Sequence, residues 1–314
     1  MQLMPELAPD PKPPEPENSA AGSLSPERFQ ELRQRAKYFL IFLAALLIAF
    51  AKPLLGLGQL SLISELYSHV LLMPAISLYL VWWGKDKLTL KFEPARGLAV
   101  SLALTGIALL TVYCYALRMG WSPEHNDRLS LLIPAFLCCF AAGFAWCFGR
   151  RLFWNAAFPL AFLIFMVPLP GFMEDGLVAF LQHSSADVSY WMLRLSGMSV
   201  FREGTQFTMP GVSIGVAPEC SGIRSSLVLF ITGLLAAYFF LRKPWPRAVL
   251  TLSVIPLGIF RNALRIFTLS QLAVHVNPDV LNSSLHHHGG PLFFAVSLAP
   301  FFLLIWYLRK WEKR

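Results

Sequence analysis

Apolar residues along this chain form long uninterrupted blocks instead of the alternating or one-sided patterns of soluble strands and helices. A helix needs about 20 such residues to cross the hydrocarbon of a bilayer while satisfying its own backbone. The pattern predicts an all-α, polytopic transmembrane helical bundle of about eight spans. We place them near residues 38–57, 68–84, 97–117, 129–148, 152–170, 221–241, 247–273 and 290–308.

The segment between the fifth and sixth spans, from Gly171 to Cys220, is the longest outside the apolar blocks. Its first part has apolar residues at helical spacing and suits a short helix lying in the membrane interface. These residues are Leu177, Phe180, Leu181, Val188, Trp191, Met192 and Leu195. Its second part, from Val200 to Val216, is β-like, with Pro210-Gly211 as a turn, and predicts a β-hairpin-like segment.

The positions of the charged residues predict the orientation of the spans in the membrane. The chain is 56% hydrophobic and only 14% charged, and its basic residues cluster in every second loop between spans. By the positive-inside rule this pattern predicts that both termini face the cytoplasm. The net charge of +8 therefore reflects membrane topology, and we expect no nucleic-acid partner.

The chain divides into three parts on composition. Residues 1–37 form an N-terminal tail and lead-in, whose stretch from Met1 to Pro26 is rich in Pro, Glu and Ser and is typical of disorder. Residues 38–310 form the transmembrane domain. Residues 311–314 form a basic C-terminal tail, which we also expect in the cytoplasm.

The first chemically conspicuous element is residues 217–224, where the chain enters the sixth span. Pro218 favours a helix start, so we expect Cys220 in the first helical turn, where unpaired N–H groups stabilise a thiolate. Arg224 follows four residues later and would lower the pKa of the thiol from the same helix face. The alternative is a packing cysteine beside Gly222, a glycine used for helix contact.

The second element is Arg261-Asn262-Ala263-Leu264-Arg265-Ile266 in the seventh span. Arginines inside a span are costly unless they are paired or face a wet cavity, so they indicate function by default. Arg265 lies one turn nearer the expected external face than Arg261. We expect Arg261 to pair structurally or to line a channel for a substrate, and a structural pair with a buried acid is the alternative for both.

The third element is His286-His287-His288, just before the last span at Gly290. Neighbouring residues diverge by about 100° on a helix, so three consecutive histidines cannot close on one ion, and we expect no metal and no cofactor. A general acid or base is the favoured role for one of them. The start of the sixth span, the end of the seventh and the start of the eighth share one membrane face, so these elements can converge.

The ordered motifs resemble those of the exosortase/archaeosortase family of membrane transpeptidases. The similar features are Cys220-Ser221-Gly222 after a β-like stretch, Asn262-Ala263-Leu264-Arg265-Ile266, and His286 four residues before Gly290. The resemblance covers about residues 38–310. It implies that Cys220 is the nucleophile, Arg265 the catalytic arginine and His286 the catalytic histidine, with Asn262 and Arg224 near the site.

The resemblance further implies a function and a location. We expect a cysteine transpeptidase of a bacterial inner membrane that works at the periplasmic face. Its substrates would be membrane-anchored proteins with a C-terminal signal, namely a short motif such as Pro-Glu-Pro, one transmembrane helix and a basic tail. The chain would transfer them through a thioester to an unknown acceptor, such as a cell-surface glycan or lipid.

Two other readings stay open at this point. A transporter or lipid-binding protein would use Arg265 and His286 to hold an anionic substrate. An intramembrane cysteine protease would use the same residues as the transpeptidase but only hydrolyse its substrate.

Overall fold

The computed structural model describes residues 26–85, 93–277 and 290–313, with the backbone alone at residues 26–28, 219 and 220. Helices dominate these residues, which confirms the predicted all-α bundle. The helices are α1 Pro26–Ala49, α2 Ala51–Ile63, α3 Met73–Trp83, α4 Arg96–Arg118, α5 His125–Asn155, α6 Ala157–Phe162, α7 Gly171–Leu195, α8 Ile223–Phe240, α9 Pro244–His275 and α10 Gly290–Glu312. The expected disorder of the first residues lies outside the described part.

Five of the described helices, α4, α5, α8, α9 and α10, are long and apolar enough to cross a membrane. Two bent helix pairs raise this number to seven if each pair is one span, and the second predicted span corresponds to a shorter apolar helix, Val70–Trp83. All eight predicted spans therefore correspond to apolar helical segments, but three of them are bent or short. The orientation of the termini stays a prediction.

Proline and glycine explain where the helices bend. The α1–α2 pair bends by 71° beside Phe50, because in a straight helix the ring of Pro53 would clash with the carbonyl group four residues earlier. Gly149 interrupts α5 at φ 82°. A Cβ there would lie 2.3 Å from the carbonyl oxygen of Glu93, which accepts a hydrogen bond from the Arg150 N–H at 2.9 Å. Gly149 therefore lets a distant segment dock against the helix.

The segment after α6 forms a small layer at one end of the bundle. Helix α7 turns by 89° from the preceding helical segment. It packs the small residues Ser185, Ala186 and Ser189 inward, and it leaves Phe172 and Trp191 exposed. Exposed aromatic residues fit the predicted interfacial helix, whose place in a membrane stays a prediction.

A three-stranded antiparallel sheet follows α7, with β1 Phe201–Glu203, β2 Gln206–Met209 and β3 Val212–Gly215 in that order. The prediction of a hairpin is correct for β2 and β3 but misses β1, which pairs with the other side of β2. Phe207 and Met209 are buried in a cluster with residues of α7 and α9. The sheet is thus fixed to the bundle through one face.

Helices α8 and α9 approach each other closely through small residues. A Cβ added to Gly258 of α9 would lie 2.7 Å from the Ser226 hydroxyl of α8, and one added to Gly233 would lie 2.9 Å from Val254. Helix α10 covers this pair with Phe301. Small residues at such contacts are what lets membrane helices pack tightly.

Gly258→Leu should destabilise the protein by about 1–3 kcal/mol, because the added side chain must separate α8 from α9. The measurement is the midpoint of thermal unfolding in detergent. Gly176→Leu in α7 is the matched control, because a Cβ there meets nothing within 4 Å. Equal midpoints for the two variants would contradict the close contact.

Candidate active site

Strand β3 leads into a short turn that carries Cys220. Residues Pro218–Ser221 form a 3-10 helix, Gly222 has φ 77° and ψ 15°, and α8 begins only at Ile223. Pro218 does start a helical turn, as expected. The expectation that Cys220 lies in the first turn of the sixth span is wrong, because the left-handed backbone of Gly222 separates the 3-10 helix from α8.

Helix α9 holds this turn through its backbone carbonyl groups. The Asn262 amide donates a hydrogen bond from Nδ2 to the carbonyl oxygen of Ser221 at 3.3 Å. The Arg261 guanidinium donates from Nη2 to the carbonyl oxygen of Gly222 at 3.3 Å and to the Ser226 hydroxyl at 3.5 Å. The two α9 side chains are only 3% and 5% exposed. The two residues after Cys220 are therefore anchored in the interior.

Gly222 is required by this anchor as well as by its own backbone. A Cβ at this position would lie 3.2 Å from both the Arg261 guanidinium and the Asn262 amide. Only a residue without a side chain accepts the left-handed conformation at no steric cost. The glycine of the Cys220-Ser221-Gly222 motif therefore serves both the turn and its contact with α9.

The two arginines of α9 lie on one side of the helix, one turn apart. Nη1 of Arg261 is buried and has no hydrogen-bond partner among the described residues. Arg265 is partly buried. Because Arg261 contacts Gly222, depth along α9 does not by itself separate the two arginines. A guanidinium beside a cysteine turn, as Arg261 is here, can stabilise a developing negative charge.

Arg224 does not lie on a continuous helix face with Cys220, because Gly222 interrupts the helix between them. The guanidinium of Arg224 instead forms an ion pair and a hydrogen bond with Glu65 in the turn between α2 and α3. The expectation of a local contact from Arg224 to the thiol rested on unbroken helical spacing. In the structure Arg224 connects the start of α8 to the Glu65 turn.

Polar contacts brace α7 against the neighbouring turn. The Tyr67 hydroxyl donates to Glu174 at 2.7 Å, and the Asn126 amide donates to the same carboxylate oxygen at 3.2 Å. Burial and the hydrogen bond to Glu174 raise the pKa of the Tyr67 phenol above its ordinary range, so the hydroxyl stays a donor at neutral pH. Farther along α7, the Gln182 amide donates to the carbonyl oxygen of Val216, just after β3.

The three expected histidines belong to the segment between α9 and α10. His286, His287 and His288 lie outside the described residues, so the choice of His286 stays a prediction. Within residues 26–85, 93–277 and 290–313, no group of three His, Cys, Asp or Glu side chains is arranged to hold a metal ion. The structure thus brings Arg261 and Asn262 to the backbone beside Cys220.

Sequence reasoning missed Glu65, Ser226 and Gly258. Glu65 pairs with an arginine 159 residues away, and no local pattern signals such a partner. The Gly258–Ser226 contact had a weak signal, since small residues at helical spacing in a span favour close helix packing.

Gly222→Ala should destabilise the protein more than Gly211→Ala, as measured by thermal unfolding in detergent. Both glycines have φ 77°, so each variant carries a left-handed alanine, which costs about 1–2 kcal/mol. Only Gly222→Ala also displaces Arg261 and Asn262, because a Cβ at Gly211 meets nothing within 4 Å. Equal losses of thermal stability in the two variants would mean that the contact of Gly222 with Arg261 and Asn262 adds nothing to the cost of the left-handed backbone.

Comparison with known proteins supplies the family. No curated protein and no solved structure matches the chain. A family model described as transmembrane exosortase matches residues 60–303, which include the Cys220 turn, the α9 arginines and the three histidines. This family comprises enzymes with a membrane transpeptidase role, and their substrates are membrane proteins. The chain belongs to the transmembrane exosortase family.

Proposed function

We propose that the chain is a cysteine transpeptidase that cleaves the C-terminal sorting signal of exported membrane-anchored proteins and transfers them to an acceptor. The observation that carries this proposal is the anchored turn: the carbonyl groups of the two residues after Cys220 accept hydrogen bonds from Asn262 and Arg261. An anchored backbone fixes the position of a nucleophile, which is the main requirement for efficient attack.

The proposed reaction has two transfers. The Cys220 thiol gives its proton to His286, and the thiolate attacks the carbonyl carbon of the scissile peptide bond. The carbon–nitrogen bond then breaks, the leaving nitrogen takes the proton from His286, and the acyl group remains on Cys220 as a thioester. An acceptor nucleophile next gives its proton to His286 and attacks the thioester, which releases the thiolate.

Arg265 has the electrostatic role in this proposal. Its guanidinium donates to the oxyanion that forms when the thiolate adds to the carbonyl, or stabilises the thiolate itself. Arg261, whose Nη2 contacts Gly222, holds the turn in place. A cation at membrane depth costs about 2.5–3.5 kcal/mol, and this cost favours a functional reason for two arginines on one helix.

The charge pattern supports the proposed orientation, and the bacterial inner membrane is what the family resemblance implies. Basic loops favour cytoplasmic termini, and the start of α8 then faces the periplasm of a bacterial inner membrane. The substrate would carry a short motif, one transmembrane helix and a basic tail, and its helix would dock in the bilayer. The acceptor is a nucleophile on a cell-surface glycan or lipid.

A second function class makes opposite predictions for the thiol. A transporter or lipid-binding protein that holds an anion with Arg265 and His286 would tolerate Cys220→Ser. A protease that only hydrolyses would need Cys220 but would yield a product with a free carboxyl terminus, so the mass of the product separates hydrolysis from transfer.

Cys220→Ala and Cys220→Ser should abolish cleavage of a reporter that ends in Pro-Glu-Pro, a transmembrane helix and a basic tail. The reason is that neither variant can form the thioester. The assay follows release of the helix by gel shift, normalised to folded enzyme. Cys114→Ala is the matched control, since Cys114 is exposed on α4 and should keep wild-type cleavage. Cleavage of the reporter by Cys220→Ser would contradict the proposed role of Cys220 as the nucleophile.

Arg265→Lys should fail almost as badly as Arg265→Ala, because lysine cannot reproduce the planar fork of guanidinium donors. Loss of one oxyanion donor costs about 10²–10³ in rate in other enzymes. Arg261→Ala should lower the yield of folded enzyme more than the activity per folded molecule. The roles are reversed if Arg265→Lys cleaves normally while Arg261→Ala is well folded and inactive.

A further inference from the structure

The free edge of β3 offers unused backbone hydrogen-bonding groups close to Cys220. In an antiparallel ladder, opposed residues alternate between pairs that exchange hydrogen bonds and pairs that do not. The Val216 N–H donates to Thr205 at 3.0 Å. By this alternation the N–H and C=O groups of Ser213 and Gly215 point away from β2. Both residues are exposed, and β3 has no further strand beside it among the described residues.

The two edges of the sheet differ in how they are protected. Proteins commonly guard free edges with charged side chains or proline, because an open edge recruits other strands. The opposite edge, β1, carries Arg202 and Glu203, and Arg202 forms an ion pair with Asp187 at 2.6 Å. Strand β3, by contrast, reads Val-Ser-Ile-Gly and has neither a charge nor a proline. An unguarded edge beside a nucleophile is suited to receive a peptide.

The surroundings of β3 favour an extended polar peptide as the occupant. The inner face of the sheet is occupied by the buried Phe207 and Met209, while Ser213 and Gly215 share the outer, exposed face with Gln206 and Thr208. A transmembrane helix satisfies its own backbone and gains nothing from such an edge. An extended segment outside the bilayer gains backbone hydrogen bonds there.

We propose that the free edge of β3 binds the substrate segment between the exported domain and the transmembrane helix as an added fourth strand. This inference rests on the proposed function. Cys220 lies five positions after Gly215, at most about 17 Å of extended chain. Strand addition would present the scissile carbonyl near the thiol, and backbone pairing would supply affinity with little dependence on the side chains of the substrate. After the helix leaves, the same edge would retain the acyl segment until the acceptor arrives.

Ser213→Pro removes one outward N–H, and it breaks no ladder bond because that N–H does not face β2. We expect it to raise the KM for the Pro-Glu-Pro reporter at least about fivefold relative to Ser213→Ala, from the lost hydrogen bond and the steric effect of the ring. Arg202→Pro against Arg202→Ala is the matched control, since Arg202 holds the equivalent outward position on β1. The KM of Arg202→Pro should stay within about twofold of the KM of Arg202→Ala. Thermal unfolding identifies any variant that is not folded.

A second experiment needs no turnover. A photoreactive phenylalanine analogue replaces Ser213 or, as control, Glu203 on the opposite edge, in each case in Cys220→Ala enzyme. Cross-links to the reporter should form from position 213 and map just before the transmembrane helix. Equal cross-linking from positions 213 and 203 overturns the edge proposal. So does a KM for Ser213→Pro that equals the KM for Ser213→Ala, together with no cross-link from position 213. If the wild-type enzyme cleaves the reporter in that case, the proposed function still stands.

Discussion

The hydrogen bonds that Asn262 and Arg261 donate to the carbonyl oxygens of Ser221 and Gly222 link the candidate nucleophile to the bundle. Interhelical hydrogen bonds in membrane proteins contribute only about 0.6 kcal/mol on average. Their importance here lies in position, because both donors are buried on α9 and both acceptors follow directly after Cys220. Without these bonds, neither Asn262 nor Arg261 would hold the backbone directly after Cys220.

Close helix packing makes these bonds possible. The contact of Gly258 with Ser226 brings α9 against α8, and Gly222 removes the side chain that would separate the turn from Arg261 and Asn262. Helix α7 and the sheet hold Val216, which precedes the turn. The Gln182 amide donates to the Val216 carbonyl oxygen, and Val216 is buried in one cluster with Phe207. Along the chain, the Cys220 turn thus lies between the sheet and α8, and β3 ends shortly before it.

The sequence predicted the bundle because long apolar blocks have few alternatives to a membrane helix. It also predicted the turn at Pro210-Gly211 and the helical start at Pro218, both of which depend on local backbone preferences. Bends were harder to predict. Gly149 alone does not reveal that its left-handed backbone accommodates the carbonyl group of Glu93, because that contact is made between segments far apart in sequence. The prediction that Arg224 shares a helix face with Cys220 is wrong because it assumed regular spacing across Gly222, and the partner Glu65 leaves no local pattern. The place of Arg224 near the site stays a prediction.

If Cys220 carries the substrate as a thioester, mass spectrometry of the enzyme during turnover detects the adduct. Enzyme is mixed with the Pro-Glu-Pro reporter, quenched in acid during turnover, and digested for peptide mapping. We expect an adduct on the Cys220 peptide that has the mass of the reporter segment before the cut and that hydroxylamine removes. Cleavage of the reporter with no adduct on Cys220 at any time point, and with undiminished rate in Cys220→Ser, would contradict it.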